Sequence, residues 1–147
     1  MLNATQDQPE TKLTRLEPYI FFYGRCEEAL EFYKSVLGGT YEVMRVADSP
    51  MAADMPKDFQ TKVMHASFSA PGIAFMASDG REAKTVDPDS GNISLAITAP
   101  DRAEGERLFK TLAEGGKVEM PFDDAFWGGK FGIVNDRFGN QWLITAP

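Results

Sequence analysis

The sequence predicts an α+β fold built from two copies of one β-α-β-β-β module, and three observations carry that prediction. First, the chain repeats itself. Phe32-Tyr33-Lys34-Ser35-Val36-Leu37-Gly38-Gly39, followed by Glu42-Val43-Met44, is echoed about half the chain later by Leu108-Phe109-Lys110-Thr111-Leu112-Ala113-Glu114-Gly115-Gly116, followed by Val118-Glu119-Met120. Such a period is too long for a solenoid unit and fits duplication of a supersecondary module. Second, each repeated segment has apolar residues at helical spacing and stops at a glycine pair able to take left-handed backbone. Third, short apolar or alternating runs bounded by Pro, Gly, Asn or Asp follow each pair, as strands do.

Residues 18–23 are an apolar run that reads as the first strand. Residues 26–37 follow as a helix, with Ala29, Leu30, Phe32, Tyr33, Val36 and Leu37 on its apolar side. Glu27 and Glu28 fall in its first turn, where carboxylates suit the positive end of the helix dipole. Strands are expected at 41–46, 63–69 and 73–78, the last two joined by a Pro71-Gly72 turn. The second module repeats the order. It has a strand at 93–98, a helix at 102–113 capped by Asp101, then strands at 117–120, 131–134 and 141–145. Asp136-Arg137-Phe138-Gly139 supplies the turn chemistry between the last two. Residues 47–62, with Pro50, Met51, Met55, Pro56 and Phe59, have no steady period and read as a lid or a mobile loop. Residues 1–14 read as a disordered tail and 15–147 as a single domain: module one about 15–78, a polar linker 79–91, and module two about 92–147.

Composition narrows the function. A chain of 147 residues, 43% hydrophobic and 25% charged, has the makings of a hydrophobic core and is not a disordered one. Fifteen basic residues against 22 acidic ones give a net charge of −7, and the basic residues do not cluster, which argues against nucleic acid as a partner. No apolar run approaches the roughly 20 residues of a membrane span, and the polar N-terminus lacks a signal-peptide layout, so a cytoplasmic location is expected. The single cysteine, Cys26, rules out an intrachain disulfide and a Cys-based structural zinc site. The single histidine, His65, rules out two-His metal motifs within one chain. No Gly-rich turn follows a strand and opens a helix as a nucleotide-type cofactor requires, so no cofactor is expected.

The motifs carry a resemblance. Pro18-Tyr19-Ile20-Phe21-Phe22, the helix start Glu28-Ala29-Leu30-Glu31-Phe32-Tyr33 and the strand end Met76-Ala77-Ser78-Asp79 resemble the vicinal oxygen chelate superfamily, which includes glyoxalase I, extradiol dioxygenases and the bleomycin and fosfomycin resistance proteins. Phe126-Trp127-Gly128 through Asp136-Arg137-Phe138-Gly139-Asn140-Gln141-Trp142 is similar to its PhnB-like branch, labelled demethylubiquinone methyltransferase-like. The resemblance covers about residues 16–146. It implies curved, partly open barrel sheets with the helices outside and a cleft on the concave face. It also implies four metal-ligand positions near Pro18, Met76, Asn92 and Leu143, where the metal-dependent members carry mostly His and Glu. Pro, Met and Leu offer a divalent cation nothing useful, so no metal site of the glyoxalase I kind is expected.

Strand alternation then nominates site residues. His65, Ser67 and Ser69 fall opposite Met64, Ala66 and Phe68, leaving His65 toward the cleft as a hydrogen-bonding group or general base, or else satisfied by Ser67, a backbone carbonyl or water. Asn92, Met76 and Gln141 fall on cleft-facing positions by the same reasoning. Phe126 and Trp127 either cap the cleft beside Asp123 and Asp124 or pack at a dimer seam. Asp79 reads as a cleft-edge acceptor or a turn residue, and Asp136 as a turn cap. Cys26 begins a helix, whose dipole lowers a thiol pKa. The resulting expectation is a homodimer that binds a small organic molecule in a metal-free cleft through His65, Ser67, Met76, Asn92, Trp127 and Gln141. The alternative is a lyase, isomerase or dioxygenase using a metal with non-standard ligands or His65 as acid and base.

Overall fold

A computed structural model of the chain describes residues 13–147 apart from Ala83; the greater part of the expected N-terminal tail lies outside the described residues. The elements run β1 (Tyr19–Phe21), α1 (Cys26–Leu37), β2 (Thr40–Arg45), β3 (Val63–Ala70), β4 (Ile73–Ser78), β5 (Leu95–Thr98), α2 (Arg102–Ala113), β6 (Lys117–Asp124), β7 (Lys130–Asn135) and β8 (Gln141–Ala146). They form two four-stranded sheets, ordered β1-β4-β3-β2 and β5-β8-β7-β6, with one parallel pair in each, β1 with β4 and β5 with β8. The fold is thus the predicted α+β duplication, with two open sheets and one helix per module.

Both helices have the expected bounds, because their signals are local. Asp101 accepts a hydrogen bond from the Glu104 N–H at 2.8 Å, capping α2. The glycine pairs do more than end helices. A Cβ on Gly39 would lie 2.2 Å from the Ser69 carbonyl oxygen, and one on Gly116 would lie 2.1 Å from that of Asn135. The second glycine of each pair therefore lets the strand after the helix close onto its neighbour, a packing reason for the repeat.

Three strand limits differ from expectation. β5 begins at Leu95, where pairing with Trp142 starts, and Ile93 is left exposed. β1 is confined to three residues because Tyr23 and Gly24 take positive φ and turn the chain into α1. β6 runs on to Asp124 despite Pro121. It is an edge strand, and register shifts between Val118 and Met120 and between Met120 and Asp123 absorb the proline. The 47–62 stretch is three short 3₁₀ turns, Val46–Asp48, Ala52–Asp54 and Lys57–Phe59.

The core lies between the modules. From α1, Cys26, Ala29, Leu30, Tyr33 and Val36 are buried; from α2, Leu108, Phe109 and Leu112. Tyr33 sits at the centre, its ring 5.9 Å from Phe75 of the first sheet and 5.6 Å from Trp142 of the second, both edge-on. Arg107 of α2 donates to the Val36 carbonyl at the end of α1. Each helix thus covers the inner face of its own sheet, and the two inner faces share one core. Each module therefore keeps an outer face that the shared core does not cover. No helix among the described residues is long and apolar enough to cross a membrane.

Candidate functional site

Register defines the outer faces. Across the first sheet Tyr19, Met76, Ser67 and Glu42 stand in one row, and the next row places Phe21 beside Ser78 and His65 beside Met44. Across the second, Ala96, Leu143, Ile133 and Met120 form one row and Thr98, Thr145, Phe131 and Asp123 the next. The alternation predicted from sequence is therefore correct, but it yields two faces in one chain.

The principal cavity opens at one end of the first face, where β1 meets the 3₁₀ turns between β2 and β3. Its volume is about 550 Å³. Its wall includes the aromatic residues Tyr19, Phe21 and Phe59 and the methionines Met51, Met55 and Met64, with Lys62 and Arg81 the charged members. Gln60 fixes the far wall: its side-chain amide donates to the carbonyls of Ala52 at 2.9 Å and Met55 at 3.2 Å, tying two turns together. Val46 and Val63 are buried at the base. The Lys62 ammonium stands 5.5 Å from the Phe59 ring centroid, a cation over an aromatic face. Soft thioethers and flat rings around a space of this size suit an organic molecule.

His65 and Ser67 of β3 and Met76 of β4 share the first outer face. His65 Nδ1 lies 3.3 Å from the Tyr19 hydroxyl, which joins it to the cavity through a residue of the wall. Gln141 lies on the second outer face, where its amide accepts from the Ser94 hydroxyl at 2.6 Å and donates to the Asn135 side chain at 3.1 Å. Asn92 is exposed in the segment before β5. Trp127 is 61% exposed at the β6–β7 turn, edge-on to Phe126 and to Phe131. Within one chain, then, His65, Ser67 and Met76 stand together on the first outer face, whereas Asn92 and Gln141 lie toward one end of the second sheet and Trp127, in the β6–β7 turn, lies at the other. None of the six lines the cavity itself. The cavity was missed because four of its lining residues, Met51, Met55, Phe59 and Lys62, come from an aperiodic segment. The available signal was its Met and Phe content.

Other candidates prove structural. Asp79 is buried and accepts from the N–H groups of Cys26 at 2.8 Å and Val63 at 2.7 Å, so it ties the start of α1 to β3. Burial, reinforced by the charges of Asp79 and Glu27, pushes the Cys26 thiol up to about 12, overriding the helix dipole. Asp136 does cap its turn, accepting from the N–H groups of Phe138 and Asn140, but it also takes the Tyr33 hydroxyl at 2.5 Å and the Trp142 indole N–H at 2.8 Å. It is the polar pin between the modules. Burial and the adjacent Asp136 carboxylate hold the Tyr33 hydroxyl well above the usual phenol range.

Duplicated β-α-β-β-β modules with two open sheets define a glyoxalase-like fold. The family model described as 3-demethylubiquinone-9 3-methyltransferase matches residues 14–145, and the chain belongs to that family. Protein YjdN of Escherichia coli is 30% identical over 89% of this chain and 94% of its own length. The crystal structure of PA1353 from Pseudomonas aeruginosa is similar at a TM-score of 0.77 and 38% identity, covering 91% of this chain and 98% of that one. A Bacillus cereus PhnB protein, named a putative 3-demethylubiquinone-9 3-methyltransferase, is similar at a TM-score of 0.70 and 27% identity, over 91% of this chain and 100% of that one. More distant neighbours named as glyoxalase/bleomycin resistance/dioxygenase superfamily members share the fold.

The residues present do not fit the metal site that the resemblance implies. Of the four positions implied for metal ligands, Pro18 presents a carbonyl already taken by the Met76 N–H at 2.9 Å, Met76 a thioether, Asn92 an exposed amide and Leu143 nothing. One step away, Glu17 carries a carboxylate, and Arg15 engages it at 2.6 Å. Both helix N-termini are already engaged: Asp79 takes the first N–H of α1, and Asp101 caps α2.

Proposed function

We propose that this protein binds a small organic molecule in the cavity between the first outer face and the 3₁₀ turns. The observation that carries the reading is the wall itself: three aromatic rings and three methionines around about 550 Å³. His65 contributes through its hydrogen bond to Tyr19. Ser67 and Met76 extend the same face and contact the part of a ligand that projects beyond the cavity mouth.

The working form in this reading is a cytoplasmic homodimer. Tyr19, Phe21 and Met44 are exposed on the first outer face, and Met120, Phe126 and Trp127 on or beside the second. The short strands β1 and β5 each leave one edge unpaired. A second copy that lays its second outer face against the first would cover these surfaces and bring Asn92, Trp127 and Gln141 up to His65, Ser67 and Met76.

The test is a fluorescence titration with N-phenyl-1-naphthylamine, an uncharged aromatic probe. The expected result is saturable binding that the double variant Met51→Glu, Met55→Glu weakens at least tenfold while unfolding at the same temperature as the native chain. Both residues lie outside the buried core, so the variant keeps its fold. Unchanged affinity in that variant overturns the reading.

A further inference from the structure

The cavity has a charge pattern that its apolar wall does not require. The chain carries a net charge of −7, yet the residues lining the cavity include two cations, Lys62 and Arg81, and no carboxylate. Arg81 is the odd arginine of the molecule. Arg15, Arg25, Arg45, Arg102, Arg107 and Arg137 are each held by a Glu or Asp in an ion pair. Arg81 has no such partner among the described residues, nor has Lys62, which rests on the Phe59 ring. The carboxylates close by in sequence do not supply one. Asp79 is buried and committed to two backbone N–H groups, while Asp48, Asp54, Asp58 and Glu82 are exposed and outside the wall. Among the described residues, then, the other arginines are paired and this cation stands unmatched beside an apolar cavity.

We infer that the ligand is an organic anion, an aromatic or otherwise apolar body bearing one carboxylate or sulfonate. The inference rests on the cavity being the binding site. The apolar body lies among Phe21, Phe59, Met51 and Met55, and the anionic group sits at the mouth between the Lys62 ammonium and the Arg81 guanidinium. The guanidinium offers a planar fork of N–H donors that matches a carboxylate, and the ammonium adds a point charge. Both cations are partly in water, so the attraction is screened by salt. It orients the ligand more than it anchors it.

Two probes with the same skeleton separate this inference from the reading beneath it. 8-Anilinonaphthalene-1-sulfonate is N-phenyl-1-naphthylamine with a sulfonate added. In the full chain, the double variant Lys62→Gln, Arg81→Gln is expected to weaken the sulfonate probe about tenfold, the order expected for losing charge-assisted hydrogen bonds. The uncharged probe, which brings no anion for either cation to meet, is expected to lose at least fivefold less than the sulfonate probe. Lys57→Gln removes an exposed cation of the same segment that does not line the cavity, and changes neither probe by more than twofold. Raising the salt concentration weakens only the sulfonate probe. Equal losses for both probes, or no loss for the sulfonate, overturn the anion while leaving the cavity intact. Binding of both probes that ignores the Met51→Glu, Met55→Glu variant, or no binding of either, overturns the cavity reading and the anion with it.

Discussion

Asp136 shows how one side chain can bind two modules into one body. Its two oxygens accept from two backbone N–H groups, a phenol and an indole, and the phenol belongs to the other module. A buried carboxylate with four donors is stable only while the donors hold. Tyr33→Phe removes a charge-assisted hydrogen bond and leaves Asn140 Nδ2 without its partner, and is expected to cost about 2 kcal/mol. Asp136→Asn turns an amide toward donors and is expected to cost about 3 kcal/mol. Urea denaturation checks both, and a loss under about 0.5 kcal/mol in either would contradict the pinning role. Sequence disclosed the turn around Asp136 through its Asp-Arg-Phe-Gly chemistry. The Tyr33 contact, more than a hundred residues distant, has no local signal.

At the scale of elements, legibility followed periodicity. Both helices were readable to the residue because amphipathic spacing, acidic first turns and glycine stops act locally. Strand faces were readable because alternation survives folding, and His65, Ser67 and Met76 do stand on an outer face. The strand limits were less so. Pro121 inside β6 is tolerated only because that strand is an edge, which is a property of the assembled sheet. The segment between β2 and β3 was unreadable for a different reason. Three 3₁₀ turns have no hydrophobic period, and Gln60, an ordinary polar residue in sequence, organises them by hydrogen bonding backwards to Ala52 and Met55. The cavity was therefore partly hidden in a stretch that gave no pattern, and none of the six nominated residues lines it.

At the scale of the whole molecule, two inner faces share one core while two outer faces stay open, so a chain alone leaves exposed the surfaces on which the nominated residues stand. The exposed rings of Phe126 and Trp127 and the unpaired edges of β1 and β5 are what the proposed partner copy covers. Light scattering at micromolar concentration is expected to give twice the chain mass of 16.3 kDa, and Phe126→Ser with Trp127→Ser to shift it toward one chain mass. A monomeric native protein would contradict the dimer. The central claim concerns the cavity, and methionine methyl NMR addresses it most directly, because Met51, Met55 and Met64 line the cavity while Met76 and Met120 stand elsewhere on the outer faces. With ¹³C-methyl methionine and added N-phenyl-1-naphthylamine, the account predicts that the largest shifts fall on Met51, Met55 and Met64. Largest shifts at Met120, or none at the three cavity methionines under saturating probe, would contradict it.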